Sequence, residues 1–406
     1  MNSLRFIRWT LSVGAIVAVL RVASLKAFFG DSISSPFLSI ALLSIFLILL
    51  RTKASWREMA GVLVLGAFIY WMDIHLLGYP YRWPVVPSCI GMASLVFLAL
   101  RAIWCEATER KMAAITASAA FLFVASEWCA DYFLLWGARA RPMVLDLYLY
   151  TFDASLHVQP AILVGQLFSR FPWFALVSQL IYMGLPVAIG LAFAACVVRD
   201  PANAMPAAVA FLITGPIGAC FYALFPALGP VHLFLDKFPW HTLTVDQARR
   251  VFLEPVPLPG ARNAIPSLHA AWVFMAYWYV RKFPLTERAW AGIFVFFTLC
   301  ATLGTGEHYF VDLVVAVPFT VMILSLTQGL CNREAGLPWQ GFSYGLALTL
   351  LWFVLLRYAT HRFWLSPLLP WLACALTIVS CWYFARMLER PPKVAAEMVP
   401  SEATAA

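Results

Sequence analysis

Two short stretches bring ionisable side chains into an otherwise strongly apolar chain. The first, GTGEHYFVDLVV (304–315), contains His308 and Asp312 at helical positions i and i+4. At that spacing a carboxylate can accept a hydrogen bond from one imidazole nitrogen, which leaves the other nitrogen a better nucleophile or base. The second, ARNAIPSLHAAW (261–272), contains His269, and a second histidine can give a proton to a departing oxygen. These residue types favour phosphoryl transfer through a phosphohistidine, with nearby arginine balancing the charge of the phosphoryl group.

The order of the predicted helices places the two histidines at the same membrane face. Asn263 or Ser267 can cap the start of a helix, and His269 then falls in its opening turn. The next predicted span, 288–304, returns across the membrane, and His308 opens the span after it. Both histidines therefore lie near predicted helix N-termini, where free N–H groups and the helix dipole favour an anion.

The composition identifies the medium around these helices. The chain has 406 residues, of which 63% are hydrophobic and 12% are charged, and its mean hydropathy is +0.82. An ordinary soluble domain is about 25% charged. The apolar residues form blocks of about 17–25 residues, the length that crosses a bilayer as a helix. An ionisable group at the centre of such a helix costs roughly 2.5–3.5 kcal/mol on insertion scales and usually marks function. The predicted fold class is all-α, a polytopic helical membrane protein.

The apolar blocks predict about twelve transmembrane helices. They lie near residues 9–29, 34–50, 59–78, 85–104, 112–136, 173–198, 204–228, 267–282, 288–304, 309–329, 340–358 and 368–386. The distribution of Lys and Arg between the loops puts both termini in the cytoplasm and the two histidines at the extracytoplasmic face. The net charge of +8 is scattered over short loops, which argues against nucleic acid as a partner.

Two loops on the predicted outer side carry basic residues against this rule. Loop 137–172 contains Arg139 and Arg141, and loop 229–266 contains Arg262 close to His269. Positive charge on the outer side indicates a local function such as phosphate binding. The simpler alternative is that these charges lie in a solvent-exposed loop without such a function. The part of the first loop from 143 to 170 is amphipathic and predicts helices that lie at the membrane interface.

The two stretches with histidine resemble motifs of a known family. IPSLHAAW and GEHYFVDL are similar to the second and third motifs of the type 2 phosphatidic acid phosphatase superfamily. They look most like its inositol phosphorylceramide synthase branch, in which P-S-L-H and H-Y-x-x-D recur. The preceding FYALFPALGP (221–230) also resembles a segment of that branch. The resemblance implies that His308 attacks phosphorus, that Asp312 supports it, and that His269 is the general acid.

The same resemblance implies a domain plan, and basic residues of the outer loops are added as candidates for cationic contacts that the family pattern lacks here. A six-helix core is expected at 112–330, with N-terminal spans outside it at 1–111 and two C-terminal spans at 331–390. The polar tail 391–406 is expected to be disordered. The candidate substrate-binding residues are Arg262, Ser267, Tyr309, Arg141 and Arg139.

Departures from the family pattern affect the expected charge balance. The first motif, a Lys followed seven residues on by Arg-Pro, is expected after the span that ends near 228, where this chain reads ALGPVHLF. The Arg-Pro pair at 141–142 lies in another loop, and Ala301 and Thr302 replace the Ser-Arg that usually opens the third motif. Two cationic phosphate contacts are therefore missing, which favours a lipid phosphotransferase or an unusual phosphatase over a simple phosphatase.

Three other interpretations remain open. The histidines and Asp312 can form a proton or ion relay in a transporter or channel, although a relay normally lies near mid-membrane. They can also form a metal site with two histidines and one carboxylate. The chain can instead be a non-catalytic member of the fold. The favoured mechanism requires no metal and no cofactor, and its partner is a membrane lipid.

None of the nine cysteines forms a C-x-x-C pair, which indicates buried apolar residues. For Glu307, an exposed position at the membrane interface and a functional role are equally good interpretations.

Overall fold

The fold is helical throughout, as predicted. The computed structural model describes residues 2–23, 36–76, 85–332 and 336–388. The α-helices of these ranges are α1 (Asn2–Ala23), α2 (Pro36–Arg51), α3 (Trp56–Leu76), α4 (Val86–Trp104), α5 (Ala107–Ala140), α6 (Asp146–Ser155), α7 (Pro160–Arg170), α8 (Pro172–Met183), α9 (Leu185–Arg199), α10 (Ala204–Leu224), α11 (Pro230–Phe234), α12 (Val245–Arg249), α13 (Leu268–Val280), α14 (Leu285–Gly304), α15 (Phe310–Asn332), α16 (Gly336–Tyr358) and α17 (Leu368–Leu388). The predicted tail 391–406 lies outside the described residues.

The predicted count of twelve spans is not confirmed. Within the described ranges, eight helices are long and apolar enough to cross a membrane. These segments are Arg5–Ala23, Trp56–His75, Val86–Trp104, Ala107–Ala140, Pro201–Leu224, Phe310–Cys331, Pro338–Tyr358 and Leu368–Leu388. Counting α7 and α8 as one span, although they are bent by 117° relative to each other, gives a ninth.

Three of the predicted spans differ from the helices that form. The predicted span 173–198 is divided by a turn at Gly184 into α8 and α9. The predicted span 267–282 becomes α13, whose 13 residues extend about 20 Å against a hydrocarbon core of about 30 Å. The predicted span 34–50 becomes the 16-residue α2. The sequence stays apolar where these helices turn or end, so hydropathy alone does not show the helix boundaries.

Helix α2 is held tightly against its neighbours along its length. A Cβ on Gly91 of α4 would lie 2.2 Å from the carbonyl oxygen of Leu42. A Cβ on Gly190 of α9 would lie 3.1 Å from Cβ of Ser44. At the end of the helix, Arg51 makes an ion pair with the buried carboxylate of Glu287 in α14. Small residues allow this close approach, and the ion pair fixes the register of α2 along the bundle.

A layer of short segments covers one end of the bundle. Strand β1 (Met143–Val144) pairs antiparallel with strand β2 (Val256–Pro257). The N–H of Leu145 donates to the carbonyl of Pro226 at 2.7 Å. The segment immediately before α6 is thereby joined to the long loop between α10 and α13. This layer lies over the starts of α13 and α15, where the two histidine motifs are found.

The glycine contact between α2 and α4 provides a test of the packing. Gly91→Ala forces a methyl group against the Leu42 carbonyl, and overpacking of this kind costs about 1–3 kcal/mol. Gly292→Ala in α14 is the matched control, because a Cβ there meets nothing within 4 Å and the substitution improves helix propensity by about 1 kcal/mol. Thermal unfolding in detergent, followed by tryptophan fluorescence, should show a lower midpoint for Gly91→Ala only. Equal midpoints for the two variants would contradict the described contact.

Candidate functional site

His308 is buried and held by hydrogen bonds at both ring nitrogens. Its Nδ1 lies 2.8 Å from the carbonyl oxygen of Ala264, and its Nε2 lies 3.2 Å from Oγ of Ser267. A carbonyl oxygen can only accept, so Nδ1 carries the proton. In the neutral imidazole, Nε2 then keeps its lone pair and accepts from the Ser267 hydroxyl. The backbone N–H of His308 donates to the carbonyl of Thr302 at 3.1 Å. These bonds fix both the ring and its tautomer.

Asp312 contacts His308 less directly than the sequence predicts. Its Oδ2 lies 3.5 Å from Nδ1 of His308, farther than the Ala264 carbonyl, and accepts the N–H of Tyr309 at 2.7 Å. Since α15 begins at Phe310, His308 precedes the helix, and the i, i+4 geometry of a regular helix does not apply. Oδ1 of Asp312 is buried and has no hydrogen-bond partner among the described residues. The bond from Nδ1 of His308 to the Ala264 carbonyl is therefore shorter than its contact with Asp312.

His269 lies beside His308 and is the less buried of the two. It is the second residue of α13, whose N-cap is Ser267 with Oγ accepting from the N–H of Ala270. The ring centroids of His269 and His308 are 6.2 Å apart. The ring of Tyr182 lies 4.4 Å from that of His269, with the Tyr182 oxygen 3.5 Å from Nδ1. The structure thus brings the two histidines together at one end of the bundle, as their helix order predicts.

Asp153 satisfies the start of the helix that follows His308. Its carboxylate accepts the N–H of Phe310 at 2.6 Å and that of Val311 at 3.1 Å. The first N–H groups of a helix have no partner within the helix, and here they are buried. Asp153 is itself only 3% exposed. The carboxylate on α6 therefore fixes the position of the α15 N-terminus and, with it, His308.

Asp146 links the loop after α10 to the residue that precedes α15. It accepts the N–H of Leu228 at 3.1 Å, the N–H of Gly229 at 2.8 Å, and the hydroxyl of Tyr309 at 3.0 Å. Burial raises the pKa of Asp146 to about 6, against the effect of these three donors. Sequence reasoning missed both carboxylates. Asp146 and Asp153 are seven residues apart in an amphipathic helix, so they lie on one face, and that spacing was the available signal.

Arg262 is hydrogen-bonded to backbone carbonyls of the loops around it. Its guanidinium donates to the carbonyls of Arg141 and Pro142, both at 2.8 Å, and to Leu258 at 2.9 Å. A further bond goes to the carbonyl of Gly260. Four of the five N–H donors of an arginine are thus used by backbone, and burial lowers the pKa of Arg262. Arg262 joins the two outer loops that β1 and β2 also connect.

The other predicted substrate contacts fall into two groups. Ser267 and Tyr309 lie within the hydrogen-bonded group around His308, and Tyr309 is 1% exposed. The side chains of Arg139 and Arg141 are exposed at the C-terminal end of α5. Their assignment to substrate binding stays a prediction. Within the described part of the chain, no group of three or more His, Cys, Asp or Glu residues is placed to hold a metal ion.

His232 is a basic residue at this site that sequence reasoning did not identify. Its Nε2 lies 3.6 Å from a carboxylate oxygen of Glu307, and both side chains are partly exposed. The pKa of His232 is raised, chiefly by its bond to Glu307. The contact depends on Gly229, whose φ of +136° favours glycine and whose Cβ would lie 2.4 Å from the Glu307 carbonyl oxygen. The loop before His232 can therefore lie flat against the turn that precedes His308.

Asp153 provides a test of the buried network. Asp153→Ala leaves two buried N–H groups without acceptors and should lower the free energy of unfolding by about 1–3 kcal/mol. Asp153→Asn keeps one acceptor oxygen and should lose less. Asp236→Ala, at an exposed carboxylate, is the matched control. Denaturation of the purified protein in detergent gives the comparison. A loss in Asp153→Ala no larger than that in Asp236→Ala would contradict the capping role.

The pair of His232 and Glu307 predicts a pH effect of defined sign. Because the folded-state pKa of His232 is raised, the pair stabilises the fold below the unfolded pKa of about 6.5, and this contribution is lost as pH rises through the folded value. Glu307→Gln should lower the pKa of His232, and Glu254→Gln, at an exposed loop carboxylate, should not. Diethyl pyrocarbonate modifies neutral imidazole, so the pH dependence of His232 modification measures this pKa. An unchanged midpoint in Glu307→Gln would refute the assignment.

Part of the chain matches a known protein family. Residues 147–326 match the family model described as PAP2 superfamily. No curated protein and no solved structure gives a significant match to the chain. The match is narrower than the predicted core at 112–330, and it includes His269, His308 and Asp312. The resemblance to this superfamily is thereby confirmed for the part of the chain that carries the two histidines, in a protein with several apolar helices outside it.

Proposed function

We propose that the protein is an integral membrane lipid phosphotransferase or phosphatase with His308 as its nucleophile. One observation carries this proposal: Nδ1 of the buried His308 is bonded to the carbonyl of Ala264, which leaves the lone pair on Nε2. The match of residues 147–326 to a superfamily of phosphatases and phosphotransferases supports the reaction class. The surrounding apolar helices support a lipid as the substrate.

The residues suit a reaction in two steps. In the first, Nε2 of His308 attacks phosphorus, the bond from phosphorus to the leaving oxygen breaks, and protonated His269 gives that oxygen its proton. In the second, water or an acceptor alcohol gives a proton to His269 and attacks phosphorus, and the phosphorus–nitrogen bond breaks. The cationic phosphohistidine is stabilised by Asp312 and by the carbonyl of Ala264.

Several groups can meet the substrate phosphate. The Ser267 hydroxyl, once Nε2 is engaged, is free to donate to a phosphate oxygen. The N-terminal end of α13 also lies here, and a helix dipole favours an anion at such an end. His232, whose pKa is raised by its bond to Glu307, is a basic residue where the first motif of the superfamily would otherwise supply Lys and Arg. The motifs IPSLHAAW and GEHYFVDL support the inositol phosphorylceramide synthase-like branch as the more specific proposal, and the distribution of Lys and Arg supports a site at the extracytoplasmic face.

A proton or ion relay is the main alternative, and one observation favours it. The bend of 117° between α7 and α8 resembles the broken helices of transporters. His269 and His308 do not belong to that bent pair, however. They lie at or next to the starts of α13 and α15. A transported ion and a released phosphate are distinguished by the experiment below.

His308→Ala should abolish turnover while the protein stays folded and inserted, because it removes the attacking nitrogen. His269→Ala should lower turnover by about 10²–10⁴, the usual contribution of a general acid. His361→Ala is the matched control, since His361 is exposed and lies outside residues 147–326. Purified protein in vesicles is incubated with labelled phospholipids, polyprenyl phosphates and ceramide, and lipid products and free phosphate are followed together.

Three outcomes of this experiment carry separate conclusions. Undiminished turnover in His308→Ala would overturn the nucleophile. Activity that persists in a strong chelator would exclude the metal-site alternative. Release of neither phosphate nor a new lipid by the wild-type protein, combined with ion flux across the vesicle, would favour the relay.

A further inference from the structure

An N-terminal helix outside the matched segment reaches the candidate site. The first turn of α2 carries Phe37, whose ring centroid is 6.2 Å from that of His269 and 5.9 Å from that of Tyr182. His269 also faces Trp272, at 6.1 Å between centroids. Three aromatic rings from three helices therefore surround the predicted general acid. One of them comes from residues that the superfamily match does not include.

Burial differs between the two sides of the site. His308 and Asp312 are at most 1% exposed, and Ser267 is fully buried. Phe37 and His269 are only partly buried, as are the rings of Tyr182 and Trp272. A substrate that reaches Nε2 of His308 past His269 therefore passes beside these rings. A phosphate needs charged or polar contacts, whereas these faces suit the hydrocarbon part of a lipid.

The position of Phe37 is set by a rigid element. The helix that carries it is fixed further along by the contact of Leu42 with Gly91, and at its end by the ion pair of Arg51 with Glu287. A side chain on a well-packed helix holds its geometry better than one on a loop, which is what a selective wall requires.

We propose that Phe37 is a specificity-determining residue. Its ring forms the wall against which the hydrocarbon chain next to the substrate phosphate lies, and it covers His269 from water. The N-terminal helices thus complete the site that the matched segment begins. The statement about substrate rests on the proposed function, whereas the covering of His269 can be measured without any turnover.

The first measurement compares two phosphate monoesters that differ in hydrocarbon. Phe37→Ala should lower kcat/KM for dioctanoyl phosphatidic acid by about tenfold relative to glycerol 3-phosphate, because only the lipid contacts the wall. Phe37→Leu retains apolar volume and should lose less. Phe46→Ala is the matched control, since Phe46 is a partly buried phenylalanine of the same helix. An equal change for both substrates in Phe37→Ala would overturn the specificity role.

The second measurement needs no activity. Diethyl pyrocarbonate should modify His269 severalfold faster in Phe37→Ala than in wild type or in Phe46→Ala, as read by mass spectrometry of the peptide that contains His269. An unchanged rate would overturn the covering role. If the wild-type protein produces neither free phosphate nor a new lipid from any substrate, the proposed function fails, and with it the specificity role of Phe37. The modification rate still decides whether Phe37 covers His269.

Discussion

The start of α15 lies inside the protein, and the rest of the site depends on how its free N–H groups are satisfied. They are buried or partly buried, so carboxylates accept their hydrogen bonds in place of water. Asp153 takes the N–H groups of Phe310 and Val311, and Asp312 takes that of Tyr309. Because every bond converges on one helix end, the backbone immediately before it is held as well. The ring of His308 is positioned through these bonds before any substrate is present.

Much of this arrangement follows from sequence, and the part that does not has a physical reason. The two histidines can be placed together because helices of membrane length must alternate in direction. The partner of Nδ1 of His308 cannot be predicted from sequence. It is the backbone carbonyl of Ala264, and every residue type has such a carbonyl. The helical spacing of His308 and Asp312 misleads for a related reason. The helix begins after His308, and only the local backbone reveals that start.

The same distinction explains the arginines and the acidic residues of the outer layer. Arg262 stands out in sequence as a cation near a histidine motif, yet its donors are occupied by carbonyls of two loops. Asp146 and Asp153 attract less attention, because their partners lie far along the chain. Charge in a sequence predicts where an ionisable group is, whereas its hydrogen bonds decide whether it can act on a substrate. The contacts made by the extended loops are therefore harder to predict from sequence than the helices are.

The order of these contacts along the chain has a consequence for biosynthesis. Asp146, Asp153, Ala264 and Ser267 all precede α15, so each group that receives this helix has left the ribosome before the helix itself. Chains are made from the N-terminus at about 5–20 residues per second, and early segments can fold first. Helix α15 is therefore synthesised after the groups that hydrogen-bond its start and the preceding His308. A nascent chain stalled just after α15 already contains every residue of the candidate site.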